Sequence, residues 1–402
     1  MTTPVTPSAT TPMIPGAAPP LEALRRMRVR AGTTGAVFTV VALVFGILDP
    51  AQLLRSYLVA VLFWLAVAAG SLGVLMMGHV APGAWTVMLR RILEAASRTM
   101  LPLFILFLPI FLGVKYIYPW TRPAVLADPE VAAKRAYLSI PFFEVRSVLY
   151  FALWAFFAWL VSRMSAREDL AVDAELPRRL RLVSALGLVV YCLTMTFASI
   201  DWMMSLTPRW ISTIYGVYVI GGQAVAAMAF GILMALVLSR GRPDTPFQTR
   251  HFHDFGKMLL AFVMLWAYFS LSQLLVQWSG NLPEEVPYYM ARLQGSYRWA
   301  SIALLLGHFA VPFVLLLSRD VKRDARRLGT IAGLLLVFRW LDLYWLVAPA
   351  FPEERARLHF LDPVAFLAVG GIWCAFFAAE LMKRPLVPTG EPLLPEALEQ
   401  HG

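Results

Sequence analysis

Only two of the 402 residues are cysteine. Cys192 and Cys374 lie in separate apolar runs with no CxxC spacing, which excludes a disulfide framework and gives no iron–sulfur ligand set. Both read as packing residues. Charge is equally scarce, at 15% of the chain, too little to keep a soluble surface wet. The six histidines, at 79, 251, 253, 308, 359 and 401, do not supply two pairs at matched depth in a membrane, so bis-histidine haem is not expected. No Walker motif, GxGxxG fingerprint, HExxH or nucleophile constellation stands in a sensible context. Nothing suggests a redox cofactor bound by this chain itself.

What is present is apolar. Hydrophobic residues make up 59% of the chain, and long runs of them, broken by charge clusters and Pro-rich turns, make it an integral membrane protein. The runs predict ten all-α spans, at about 31–49, 54–79, 84–114, 142–164, 178–201, 209–239, 252–280, 286–318, 328–349 and 364–383. Residues 1–30 read as a disordered basic cytoplasmic tail, because Met1 to Pro20 is rich in Thr and Pro and is followed by "RRMRVR" without an apolar h-region. Residues 31–384 form the membrane domain and 385–402 a cytoplasmic C-terminal tail.

The excess of Lys and Arg, a formal charge of +10, falls at span ends. With the N-terminus inside, the inner flanks hold 22 Lys and Arg and the outer flanks eight, including Arg355 and Arg357. That bias predicts cytoplasmic N- and C-termini. The loop from Lys115 to Pro141 then lies outside, and reads either as an aromatic-belt loop or as a docking surface for an extracytoplasmic partner.

Ionisable groups at the bilayer centre cost about 2.5–3.5 kcal/mol on insertion scales, so they face protein or water and mark pathways or clamps. In the third span Arg90, Glu94 and Arg98 share one face, as a structural clamp or as the inner mouth of a proton path. In the ninth span Arg339 and Asp342 are spaced i, i+3 and can pair. In the seventh span Trp266, Ser270, Gln273 and Gln277 fall on one helical stripe. With Arg298 in the eighth span they reach a similar depth and form a polar seam, which either conducts protons or glues helices. His308 lies two to three turns inside and exchanges protons near neutral pH. At the outer interface Glu144, Arg146 and Asp201 are solvated anchors, a proton exit or the rim of a lipid-soluble substrate site.

Three stretches together, Arg55 to Thr99, Ser199 to Gln223 and His253 to Glu285, resemble the ActF membrane subunits of bacterial alternative complex III, a quinol:cytochrome c oxidoreductase of the NrfD-like, polysulfide-reductase-type group. The resemblance covers essentially the whole membrane region. It implies a bacterial inner-membrane location and two four-helix bundles, spans two to five and six to nine, flanked by spans one and ten. It implies partners too: an ActC-like membrane subunit, an ActB-like iron–sulfur protein, ActA- and ActE-like cytochromes and a small ActD-like subunit. Haem and iron–sulfur clusters would lie in those partners, with quinone or quinol as the lipid-soluble carrier.

For a chain of this kind the resemblance implies either quinone binding, with Glu144, Arg146 and Asp201 as rim, or proton conduction. The conducting residues would be Glu94, Arg98 and His308 in the inner half, and Ser270, Gln273, Gln277, Arg298, Arg339 and Asp342 in the outer half. One motif departs from the group: at the end of the second span, where a His pair is common, this chain has Gly78 and His79. A stand-alone secondary transporter is the third reading, for which broken helices at the midplane are expected.

Overall fold

The computed structural model describes residues 17–170, 175–351 and 358–398. The first 16 residues of the expected tail, the last four, and Arg355 and Arg357 of the charge count lie outside the described residues.

Among the described residues nine helices are long and apolar enough to cross a membrane, and a bent pair makes a tenth. In order the spans are Leu21–Gly46, Pro50–Val80, the pair Ala84–Ser97 and Met100–Leu112, Ile140–Glu168, Leu176–Trp202, Tyr215–Ser239, Thr249–Gly280, Tyr297–Leu317, Ala325–Val347 and Leu361–Leu381. The protein is an all-α, multi-pass membrane protein. Capping marks several boundaries: Asp49 accepts from the Gln52 amide at 3.0 Å before Pro50, and Asp324 accepts from Arg326 and Arg327 at the head of the ninth span. The seventh span ends at Asn281, in the left-handed region at φ 46°.

Two spans are not regular helices. The third, expected as one run over 84–114, bends by 41° between its two arms. Pro102 offers no amide to the Arg98 carbonyl, and the Ser97 and Thr99 hydroxyls instead bond back to the Glu94 and Ala96 carbonyls. The eighth, expected over 286–318, is split. A short helix Val286–Leu293 lies outside it, Gly295 turns the chain at φ 59°, and the span proper contains a π-helical segment, Leu304–Ala310, ending beside Pro312. Pro312 cannot serve the His308 carbonyl, and a widened turn is one way a helix absorbs that loss.

The second and sixth spans are the most enclosed of the membrane helices outside the bent pair, and they pack on one another. The second also packs on the third and fifth spans, and the fourth closes that group. The sixth packs on the seventh and ninth, with the eighth between those two. Spans two to five and six to nine are thus two four-helix groups joined along the second and sixth. Spans one and ten lie side by side against the second. Gly35 and Gly371 permit that approach, since a Cβ at Gly35 would lie 2.5 Å from the Ile372 nitrogen.

The first and tenth spans both have their tail-side ends on one face, called here the terminal face. Two segments expected as tails are folded there. The helix of the first span begins at Leu21 and takes in Arg25, Arg26, Arg28 and Arg30, because nothing in 21–30 breaks a helix. After the tenth span, Leu386 and Val387 are fully buried and residues 394–398 form a helical turn, so this segment is packed rather than loose. On the opposite face, 114–138 is a folded cap of short helical turns with Tyr118 and Trp120 buried beneath it.

Candidate functional site

Buried charge collects in three places, one at each face of the first bundle and one deep in the second. At the terminal face, five carboxylates and five cations interlock. Arg90 bonds Glu168 at 2.7 Å and also Glu391. Arg91 bonds Glu94 at 2.7 Å and also Asp169. Arg98 lies in ion-pair contact with Glu380 at 2.9 Å, Arg384 reaches Glu94 at 3.2 Å, and Lys383 takes Glu380.

The partners of Glu94 are therefore Arg91 and Arg384, not the expected Arg90 or Arg98. Arg98 sits at the bend that ends the first arm of the third span, and is turned towards the tenth span. Glu94 is almost fully buried, with Oε1 lacking a hydrogen-bond partner among the described residues. Burial lowers the Arg384 guanidinium from its ordinary value, Glu94 pulls it back up, and Arg91 and Arg98 add repulsion. The arrangement is a clamp that ties the third, fourth and tenth spans and the C-terminal segment together.

At the opposite face Arg146 grips Asp201 with two bonds, of 2.9 and 2.8 Å. Tyr150 donates to the same carboxylate at 2.8 Å, and the Arg146 guanidinium stacks over Tyr137 at 3.9 Å. Asp201 is fully buried, and Glu144 is half-buried outside the pair. This is a satisfied bidentate lock between the fourth and fifth spans, with its carboxylate closed off by its own partners rather than presented as a rim.

The third centre is different in kind. Arg339 and Asp342 form a direct ion pair on the ninth span with neither residue accessible. Asp342 also accepts from the Tyr218 hydroxyl at 2.5 Å and from the Trp266 indole at 3.2 Å. His308, at the π-helical segment, packs edge-on against Trp266 with ring centroids 4.0 Å apart. It is fully buried, and both its ring nitrogens lack a partner among the described residues. So do Nε and Nη2 of Arg339. Gly222 makes room for that guanidinium: a Cβ there would lie 2.0 Å from Nη1.

Towards the opposite face the centre continues through aromatic hydroxyls. Tyr215 lies one turn from Tyr218, and beyond it come Trp210 and Tyr288, stacked at 3.6 Å. Tyr288 lines a basin of about 1030 Å³ under the folded cap. Arg292 roofs this end, its guanidinium 3.4 Å from the Tyr288 ring centre and bonded to the Trp345 and Leu346 carbonyls. Towards the terminal face the same helices present buried Leu259, Phe262, Val263, Leu328, Ile331 and Leu335.

Of the expected seam, Trp266, Gln273 and Gln277 are buried and Ser270 is half-buried. The stripe faces protein, and the amide atoms of Gln277 lack partners among the described residues. Arg298 does not join it. It lies in the first turn of the eighth span and is exposed, while Arg292, on the preceding short helix, takes the buried place. Glu94 and Arg98 belong to the first bundle and His308, Arg339 and Asp342 to the second, so His308, expected in an inner half-channel with Glu94 and Arg98, instead stands beside Trp266 with the outer-half residues.

Sequence reasoning missed Arg91, Arg292, Arg384 and Tyr218. Arg91 stands i, i+3 from Glu94 and was legible on that ground. Tyr218 is an apolar-run tyrosine whose partner is 124 positions away, and no local signal marks it. Among the described residues no three His, Cys, Asp or Glu side chains converge as a metal set. No protein-family model matches this chain, and no curated protein matches it significantly.

Proposed function

We propose that this chain is a cofactor-free membrane subunit of a quinol-oxidising respiratory complex of the alternative complex III type, and that its part is to move protons through the Asp342 centre. The resemblance of its three long stretches to ActF subunits supports the first half of the reading. One observation carries the second: a carboxylate and an imidazole share a buried site, the carboxylate is held by an arginine and a tyrosine, and neither imidazole nitrogen has a hydrogen-bond partner among the described residues.

Ionised, Asp342 is held by Arg339 and Tyr218; taking up a proton leaves the buried guanidinium without its counter-charge, so the protonated state is a transient one that favours passing the proton on. Tyr218, Tyr215 and Tyr288 lead towards the basin at the opposite face, so a proton leaving Asp342 has hydroxyls to follow. His308, packed against the Trp266 indole that bonds Asp342, is the nearest further side chain that can carry a proton. The reading assigns this centre the exit half of a path.

The test is proton release per electron in vesicles containing the assembled complex. With Asp342→Asn, haem content and subunit yield should be kept while the proton ratio falls. An unchanged ratio in a fully assembled Asp342→Asn complex overturns the relay. Purification of the chain as a colourless, active, stand-alone transporter overturns membership of the complex.

A further inference from the structure

The link between the eighth and ninth spans carries five cations and two carboxylates in ten residues, from Ser318 to Arg327. Its helical turn Arg319–Arg323 packs against the seventh span at the terminal face. Gly256 on that span gives the Lys322 stem its place, since a Cβ there would stand 2.6 Å from the Lys322 Cγ. Only 7% of Lys322 is left exposed. The stem is what is covered, and the ammonium is not sealed off. Exposed Lys257 and Arg319 are its charged neighbours.

Among the described residues no carboxylate answers Lys322. Asp254 is taken by Lys257 at 2.9 Å and Asp324 by Arg327 at 3.3 Å. Asp320 stands i, i+2 from Lys322 on the same turn, a spacing at which helical side chains do not face each other. Burial, with Lys257 and Arg319 adding repulsion, holds the Lys322 ammonium below its ordinary value. A topology signal needs cations near the headgroups, but it does not need one buried without a partner. Such burial costs free energy unless an anion completes the site.

We propose that Lys322, with Lys257 and Arg319 beside it, forms a site for the phosphate of an anionic phospholipid in the leaflet at the terminal face. An ammonium and a phosphate oxygen make a charge-assisted bond, and a neighbouring guanidinium adds a second. The surroundings favour a lipid over free phosphate. Val314 and Leu317 of the eighth span and Met264 of the seventh are exposed apolar side chains within the membrane, so acyl chains hanging from the phosphate have a surface to follow. A zwitterionic headgroup fits less well, because its own cation would enter a cluster that already holds surplus positive charge. Basic pockets between helix ends suit anionic headgroups for the same reason. The site stands apart from the Asp342 centre and does not depend on it.

The full chain, purified in detergent, is given phosphatidylglycerol and phosphatidylcholine in equal amounts and weighed intact by native mass spectrometry. The wild type should retain phosphatidylglycerol in preference. One cation beside a headgroup corresponds to about fivefold in affinity, so Lys322→Gln should lower that retention by at least this factor. Arg326→Gln removes an equal charge at an exposed position of the same link, and should leave the retention nearly unchanged. The exposed pair Lys257→Gln with Arg319→Gln, which disturbs no buried group, should lose the preference as Lys322→Gln does. Thermal unfolding gives a second reading: without phosphatidylglycerol Lys322→Gln should be at least as stable as the wild type, and with it only the wild type should gain. Equal retention of both lipids by the wild type overturns the proposal, as does an equal loss in Lys322→Gln and Arg326→Gln. Destabilisation of Lys322→Gln without phosphatidylglycerol would show that the ammonium has a partner within the protein, and would overturn it too. Displacement of the lipid by inorganic phosphate would overturn the lipid assignment and leave an adventitious ion only.

Discussion

A guanidinium and a carboxylate with no access to solvent stabilise each other only as long as both keep their charge, so Arg339 and Asp342 are best tested together. Arg339→Gln alone leaves a buried carboxylate with only Tyr218 and Trp266 as donors, and should cost about 3–5 kcal/mol of stability in denaturant unfolding. Adding Asp342→Asn removes the remaining buried charge, and the double variant should be less destabilised than the sum of the two singles. Additive losses would mean that the two side chains do not share one electrostatic site. Elsewhere a single residue sets a pH response. Asp128 accepts from Arg209 and caps the turn Pro129–Ala132, and the Arg209 hydrogen bond holds its carboxyl below the ordinary value of 3.8. A carboxyl lowered by folding contributes stability that is complete above 3.8 and lost as pH falls through the lowered value. Amide exchange in the cap should therefore speed up below pH 3.8 in the wild type. In Asp128→Asn that acid step should be absent, and its persistence would assign it to another group.

At the scale of single helices, ten apolar runs became ten spans, most with ends moved by a few residues but the first starting at Leu21 rather than 31 and the eighth at Tyr297 rather than 286, because span length is dictated by bilayer thickness and the backbone has no other way to satisfy its hydrogen bonds there. What the runs did not reveal is where a helix bends or touches its neighbour. The third span breaks where Pro102 meets two back-bonding hydroxyls, and Arg298 fell outside the seam because Gly295 starts the eighth span afresh and rotates its first turn outward. Faces within one helix were legible, as with the buried stripe of Trp266, Gln273 and Gln277; partners across helices were not, as with Tyr218 and Asp342. The pairing of the first and tenth spans is of the second sort, and it is open to a direct check. A Cβ at Gly32 would lie 3.7 Å from the Ala375 Cβ, within the range that a disulfide bridges. Gly32→Cys with Ala375→Cys, in a chain whose Cys192 and Cys374 are replaced by Ala, should crosslink on mild oxidation. Introducing Gly35→Leu should abolish the crosslink, since its side chain would enter the Ile372 backbone. Failure to crosslink without Gly35→Leu would refute the pairing.

At the scale of the whole molecule, the two bundles are joined twice: along the second and sixth spans inside the membrane, and by the C-terminal segment across the terminal face. That segment runs from Arg384, bonded to Glu94 and to the Ser162 carbonyl at 2.8 Å, past Gly390, whose amide donates to Asp169 at 3.2 Å, and Glu391 on Arg90. It ends at Ala397, whose carbonyl accepts from Arg250 at 2.6 Å and meets His251 Nε2 at 2.8 Å, both on the seventh span. Between these bonds Leu386, Val387 and Leu394 are buried, each a burial of about 1.5–3 kcal/mol. A segment of this kind has no periodicity long enough to be read from sequence, which is why it passed as a tail. Ending the chain at Pro385 should lower the unfolding midpoint. Glu391→Gln should lower it much less, because Arg90 keeps Glu168 and the apolar contacts remain. In the shortened chain Ser165→Cys, buried in the full-length protein beside Arg91, should become reactive to a membrane-impermeant maleimide. The excess of Lys and Arg at this face predicts that the reagent succeeds only from the cytoplasmic side. Labelling from the other side alone would reverse the orientation while leaving the strap intact. An unchanged midpoint together with an unreactive Ser165→Cys would show instead that the segment lies on the bundles without holding them.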